Sequence, residues 1–373
     1  MKKEETPHIP FNAPIRAVAQ DRDGIDAAIA RVLASGLYVL GPENDALSKE
    51  LASFFGIGHA VLVGNGTDAL EISLKVLGVG PTDVVATVAN AGGYASTAIR
   101  EVGATPFYVD IEPESLQMSP DALRVALQDK QQGVSAVIVT HLYGQAAKVN
   151  EIRQITVDAG VPLVEDCAQS IGAKSHGQRL GTFGDIATTS FYPTKNLGGL
   201  GDGGAIFTSS PHLAEKASRL RQYGWTSRYN SEESGGRNSR MDEIQAAVLR
   251  SRLKGLNRLN HSRKEIFSRY ASVNSPWGKF AHSVSEEFVG HIAVFLTDDR
   301  AQFVEHLESR GIQTAIHYPI PDYRQPAFFA SAEELPATEW ASKRIVSLPL
   351  FPELREDEVE RICLALVEGN PAM

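Results

Sequence analysis

Cysteine is scarce in this chain. The two present, Cys167 and Cys363, lie far apart without CxxC spacing, which excludes a disulfide framework and any cysteine-rich zinc motif. The ten histidines form no HExxH and no His/Cys cluster close in sequence, so no metal is expected. No stretch reaches the roughly 20 consecutive apolar residues of a membrane span. The opening MKKEETPHIPFN lacks the apolar core of a secretory signal, so a cytoplasmic protein is expected, with no membrane partner. Positive charge is also short: 36 Lys plus Arg stand against 45 Asp plus Glu, a formal net charge of −9. That balance gives a phosphate-neutralising surface no support, and nucleic acid is not an expected partner.

What is present is ordinary globular composition, 43% hydrophobic and 22% charged, over 373 residues, a length at which single cores divide. Apolar residues recur at helical spacing from Asp21 to Ser35, and again through Leu47, Leu51, Phe54 and Phe55. Short apolar runs then alternate with helices: HAVLV, DVVATVA, TPFYVDI, VSAVIVTHLYG, VPLVEDC, DIATTSFY and GGAIFTS. Strands alternating with helices predict an α/β fold with a mainly parallel sheet and right-handed crossovers. From Arg240 one long helical segment is predicted to about Leu259, leading into a smaller unit with a strand in EFVGHIAVFL and a helix over 300–310. The expected division is a large domain, 1–250, with an N-terminal helical segment, and a small C-terminal domain, 251–373. The polar stretch GWTSRYNSEESGGRNSR between them reads as a long functional loop.

Three motifs carry chemistry. Lys195 follows a strand and Pro193 in SFYPTKNLGGLGDGG, with four glycines among the next eight residues. Glycine lets backbone approach a ligand closely, and a lysine that loses its proton through burial or a cationic neighbour can form a Schiff base with an aldehyde. A solvated surface lysine is the plainer alternative. Gly199, Gly201 and Gly204 also spell GxGxxG, but the following AIFTS reads as a strand, which rejects a dinucleotide fingerprint. In VPLVEDCAQS a strand delivers Asp166 to its C-terminal end, where open α/β sheets bind ligands; there it could keep a pyridine nitrogen protonated and make the ring an electron sink, or simply cap a helix. In GNGTDAL a strand runs into Gly64, Gly66 and Thr67 at a helix start, a place suited to phosphate or to a bare glycine turn with a threonine N-cap. Phosphate cradle, strand-end aspartate and loop lysine occur in the order one cofactor needs.

These residues resemble the fold-type I pyridoxal-phosphate enzymes, and specifically the DegT/DnrJ/EryC1/StrS sugar aminotransferases. The likeness covers nearly the whole chain: SGLYVLGPENDALSKELASFFG, GNGTDAL, HLYG, EDCAQSIGA, SFYPTKNLGGLGDGGAIFT, GGRNSRMDEIQAA, IHYPIP and SLPLFPEL. The resemblance implies a mainly parallel seven-stranded sheet sandwiched by helices, with a smaller C-terminal α+β domain, and pyridoxal 5'-phosphate as the cofactor. It implies that Lys195 forms the Schiff base and shuttles protons, that Asp166 partners the pyridine nitrogen, and that Gln169 bonds near the ring's phenolic oxygen. It places Ser190, Gly66 and Thr67 on the phosphate, and Asn238 on the phosphate of a neighbouring subunit, hence a homodimer with shared sites. His317 and Tyr318 fall where the family meets its sugar. One departure stands out. In ANAGGYAST a glycine occupies the place where the family stacks an aromatic residue on the ring, and Tyr94 is the candidate to replace it. The implied reaction is ping-pong amino transfer from an amino acid, glutamate, to a keto sugar, nucleotide-linked. The alternatives are a cyclitol or free keto sugar as acceptor, or a noncatalytic ligand sensor.

Overall fold

The structure, a computed structural model, describes residues 8–328 and 334–369. Its centre is a seven-stranded sheet: β1 (His59–Val63), β2 (Val84–Val88), β3 (Thr105–Val109), β4 (Val134–Thr140), β5 (Leu163–Asp166), β6 (Ile186–Ser190) and β7 (Gly204–Thr208). The spatial order is β1-β7-β6-β5-β4-β2-β3. β7 runs antiparallel to both β1 and β6, and the other pairings are parallel. Parallel pairing requires crossovers, supplied by helices Gly66–Val76, Tyr94–Glu101, Pro120–Gln128 and Val149–Ala159.

The strands are apolar on both faces because both are covered. On one side Leu70, Leu74, Ala98 and Ile99 pack against Val61, Val85 and Ile138. On the other, Leu123 and Ile152 meet Val88, Val109, Val137 and Val139. Each fully buried Val, Leu or Ile among them contributes about 1.5–3 kcal/mol. The glycine-rich loop 191–203 needs no such crossover, because its strands β6 and β7 are antiparallel and it leaves and returns at one edge of the sheet.

The helices Arg22–Ser35 and Pro42–Phe55 both pack on Glu243–Leu253: Ile25, Ala28 and Val32 meet Ala247 and Val248, while Leu47 and Leu51 meet Ala246 and Leu249. The buried Glu243 carboxylate accepts the backbone N–H groups of Gly41, Glu43 and Asn44 at 2.8–2.9 Å, so a residue 200 positions away satisfies the open N-terminus of helix Pro42–Phe55. A second, antiparallel sheet contains β8 (Lys279–Phe280), β9 (Ala293–Leu296) and β10 (Ile345–Leu348). Phe267, Phe295, Phe303, Val346 and Ile362 form its core.

Two local expectations change. The predicted helical segment 240–259 is two helices, Glu243–Leu253 and Leu256–Ala271. They break at Lys254 and Gly255, where glycine is about 1 kcal/mol worse than alanine in a helix interior. The polar loop contains a short antiparallel pair, Trp225–Ser227 with Asn230–Ser231, held partly by the aromatic contacts of Trp225 with Tyr223 and Tyr229.

Candidate active site

The C-terminal ends of β1, β2, β4, β5 and β6 share one edge with the start of β7. A cavity of about 740 Å³ opens there, and its lining includes Gly66, Thr67, Tyr94, Asp166, Gln169, Ser190, Lys195, His317 and Tyr318. Nine of the ten expected site residues therefore converge. Asn238 does not line this cavity: it lies exposed, bridged through its backbone to Gln222, with its side-chain carbonyl oxygen accepting from Arg240 Nε at 2.9 Å.

Asp166 is buried at the last position of β5. Its Oδ1 accepts from the Ala168 N–H at 3.0 Å, and the Thr140 hydroxyl approaches Oδ2 at 3.4 Å. Burial pushes this carboxyl above the ordinary range, against the Ala168 hydrogen bond and the Lys195 charge. A cationic N–H brought into the cavity would relieve that penalty, as a protonated pyridine nitrogen does. Lys195 shows the complementary shift: burial lowers its pKa to about 8, the charge of Asp166 opposing the change. Its own N–H donates to Tyr192 O at 2.8 Å, fixing a tight turn directly after β6. The lysine is thus prepared to lose its proton near neutrality.

The end of the cavity suited to an anion is built around helix Gly66–Val76. Its N-cap is Asn65, whose side chain accepts from the Asp68 N–H at 2.8 Å. The Gly66 and Thr67 N–H groups at the helix N-terminus therefore remain for an anion, and Thr67 is not the cap that a simple glycine turn required. A Cβ on Gly66 would fall 2.8 Å from the Ser190 Cβ, so glycine is what brings the helix start against β6 and its hydroxyl. Ser239, in the segment after the polar loop, accepts the Gly64 N–H at 2.9 Å. A phosphate, a protonated ring nitrogen and an aldehyde each find a partner here, and the residues fit pyridoxal 5'-phosphate.

Gln169 is held by the Tyr143 N–H, which donates to its Oε1 at 2.6 Å, so its amide Nε2 points to the Tyr318 hydroxyl at 3.3 Å. His317 pairs its Nδ1 with Ser347 Oγ at 2.9 Å and stacks on Phe11. Burial and the nearby Lys195 charge lower its pKa to about 4, so it is neutral at physiological pH.

Sequence reasoning missed His291, which also lines the cavity. Asn196 Nδ2 donates to Asn260 Oδ1 and Val289 O, leaving its Oδ1 to accept from His291 Nδ1 at 2.9 Å. That chain places the proton on Nδ1 and leaves Nε2 an acceptor. No linear signal marked His291, because GHIAVFL reads simply as a strand approach. Asn65, by contrast, was available from the N-cap preference alone. The fold also gathers His141, Glu165 and Cys167 within 4.8 Å. There Glu165 accepts three backbone N–H groups, from Gly181, Phe183 and Gly184, besides facing His141 at 3.1 Å. Its lone pairs are spent on shaping the turn that leads into β6.

Comparison with known proteins agrees with this geometry. The model of the DegT/DnrJ/EryC1/StrS aminotransferase family matches residues 19–367. A dTDP-3-amino-3,4,6-trideoxy-alpha-D-glucose transaminase of Streptomyces venezuelae is 38% identical over 98% of this chain and 97% of its own. A UDP-2-acetamido-2-deoxy-3-oxo-D-glucuronate aminotransferase of Pseudomonas aeruginosa is 36% identical over 93% and 96%. The solved structure of S. venezuelae DesV in complex with a ketimine intermediate superposes with a TM-score of 0.92 at 37% identity, covering 96% of this chain and 98% of that one. With the fold, the convergent cavity and the match over nearly its full length in agreement, the chain belongs to the DegT/DnrJ/EryC1/StrS aminotransferase family.

Proposed function

We propose that this aminotransferase moves an amino group from an amino acid, glutamate, to the carbonyl carbon of a nucleotide-linked keto sugar, in the cavity at the C-terminal edge of the large sheet. The observation that carries the reading is the meeting of Lys195, Asp166 and the open helix start at Gly66–Thr67 in one cavity. The two relatives named above are described as acting on dTDP- and UDP-linked sugars, which favours a nucleotide-linked acceptor over a cyclitol or a free sugar.

When bound, pyridoxal 5'-phosphate supplies an aldehyde that carries the amino group and a ring that withdraws electrons from the neighbouring substrate carbon. In this reading the Gly66 and Thr67 N–H groups and the Ser190 hydroxyl hold the phosphate, aided by the favourable end of the helix dipole. Asp166 retains a proton on the ring nitrogen. The Lys195 amine would hold the aldehyde, and its free form would remove and return the proton at the reacting carbon; a base with pKa near working pH suits both directions. Gln169 would lie toward the ring's phenolic oxygen, and neutral His317 would face the sugar. Asn238, exposed on its own chain, serves the phosphate of a second copy, making the active unit a homodimer. The division into domains near residue 250 belongs to the same reading, with the cavity between them.

The direct test is absorption spectroscopy of the reconstituted protein. The visible band of lysine-linked cofactor should bleach on adding glutamate and return on adding a nucleotide-linked keto sugar. Lys195→Arg should show neither change while still retaining cofactor noncovalently. A linked cofactor indifferent to every amino donor would count for a ligand sensor, and recovery only with a free keto sugar or cyclitol would redirect the acceptor.

A further inference from the structure

Two successive glycines, Gly92 and Gly93, both at φ +81°, join β2 to helix Tyr94–Glu101. Their positive φ is a conformation that L side chains rarely adopt, and their surroundings reinforce it. A Cβ on Gly92 would lie 2.6 Å from Cε1 and 2.7 Å from Cζ of Tyr318; one on Gly93 would lie 3.0 Å from the Phe328 ring. The loop backbone is therefore a seat for rings delivered by the segment 317–328.

That segment is fastened to the loop. The Asp322 N–H donates to Ala89 O at 2.8 Å, and Ser96 Oγ donates to Asp322 Oδ2 at 2.6 Å. At the same Cζ end of the Tyr318 ring, Gln169 Nε2 donates to its hydroxyl at 3.3 Å. Tyr318 is thus fixed between Gly92 and Gln169, inside the cavity that holds Asp166 and Lys195. Tyr94 differs: it is 50% exposed and meets Tyr318 edge-on, with centroids 6.3 Å apart.

We propose that Tyr318, rather than Tyr94, is the aromatic side chain facing the cofactor's pyridine ring, and that Gly92 is glycine because Tyr318 occupies the volume its side chain would fill. The proposal rests on the reading of this cavity as the pyridoxal-phosphate site. A flat heteroaromatic ring gains from an aromatic face or edge, and Tyr318 is the ring held rigidly in reach of the Gln169 end of the pocket. Tyr94 then stands at the mouth, where a larger substrate passes.

The experiment is titration of apoprotein with pyridoxal 5'-phosphate, followed by absorbance and by quenching of intrinsic fluorescence. Tyr318→Leu should raise Kd about tenfold and displace the visible band, while Tyr318→Phe, which keeps the ring and loses only the hydroxyl's bond to Gln169, should raise it by less, about threefold. Tyr94→Leu should leave cofactor Kd within about twofold and raise KM for the acceptor instead. Gly92→Ala should weaken cofactor binding in the parent, and much less when Tyr318→Ala has emptied the space. Melting of the apoproteins identifies variants that fail to fold, and Tyr318→Phe with Tyr94→Leu still separates the two tyrosines. A tenfold loss in Tyr94→Leu, unchanged cofactor binding in Tyr318→Leu, or equal damage from Gly92→Ala in both backgrounds would overturn the proposal. Failure of the parent itself to bind the cofactor would instead overturn the reading of the site.

Discussion

At the residue scale, the paired shifts at Lys195 and Asp166 make the apoprotein's reactivity depend on pH in a stated direction. Lys195 titrates at about 8. Below that the ammonium cannot attack an aldehyde, and each unit of acid lowers the neutral fraction about tenfold. The rate of covalent coupling to pyridoxal 5'-phosphate should therefore climb through pH 8 and level off above it, measured by stopped-flow appearance of the visible band. A rate flat across pH 6 to 9, once the cofactor's own ionisation is subtracted, would contradict the shift. The places of Lys195, Asp166 and Thr67 in the cavity lining were legible in sequence because each sits at a junction, strand end or helix start, that local pattern reveals. His291 and the role of Gly92 were not. Both depend on what the fold brings across from distant segments: Asn196 for the histidine, Tyr318 for the glycine.

At the element scale, strands and crossover helices are legible because covered parallel strands write continuous apolar runs, and the intervening helices carry their own period. What pattern could not supply is how elements are anchored. Helix Pro42–Phe55 has no side-chain cap from its own N-cap residue, Gly41; its free N–H groups are met by Glu243, in the first turn of helix Glu243–Leu253. Glu243→Ala would strand three buried donors at once. Counting about 1–3 kcal/mol for each buried group left unmade, and allowing water to replace part of that, the loss should be roughly 2–4 kcal/mol of unfolding free energy, read by chemical denaturation of the apoprotein. A change under about 0.5 kcal/mol, the usual range of surface substitutions, would show that water satisfies these donors as well as the carboxylate does. The predicted long helix at 240–259 missed its break for the opposite reason: the apolar period continues on both sides, and a single glycine decides.

At the scale of the whole molecule, the exposed Asn238 makes a prediction that only an assembly can answer. If each site takes Lys195 from one copy and Asn238 from the other, Lys195→Arg and Asn238→Ala chains that are separately impaired should restore activity when refolded together. Random pairing makes half the dimers mixed, each with one intact site, so recovery should approach about a quarter of the parent. Recovery near zero, with mixed dimers present by mass, would place Asn238 in its own chain's site or in none.

The antiparallel strand β7 carries a last consequence. It joins β1 to β6, pairing Val63 with Gly204 and His59 with Thr208, so segments some 140 residues apart in the chain meet only when this strand docks. The anion-binding turn leaves β1, and the lysine loop enters β7. Contacts so distant along the chain form late and slowly, and until they form the two halves of the proposed cofactor seat are separate pieces. Cofactor capture is thereby a certificate of finished folding: in a refolding time course the visible band should appear only in the final phase, after helix content has already returned.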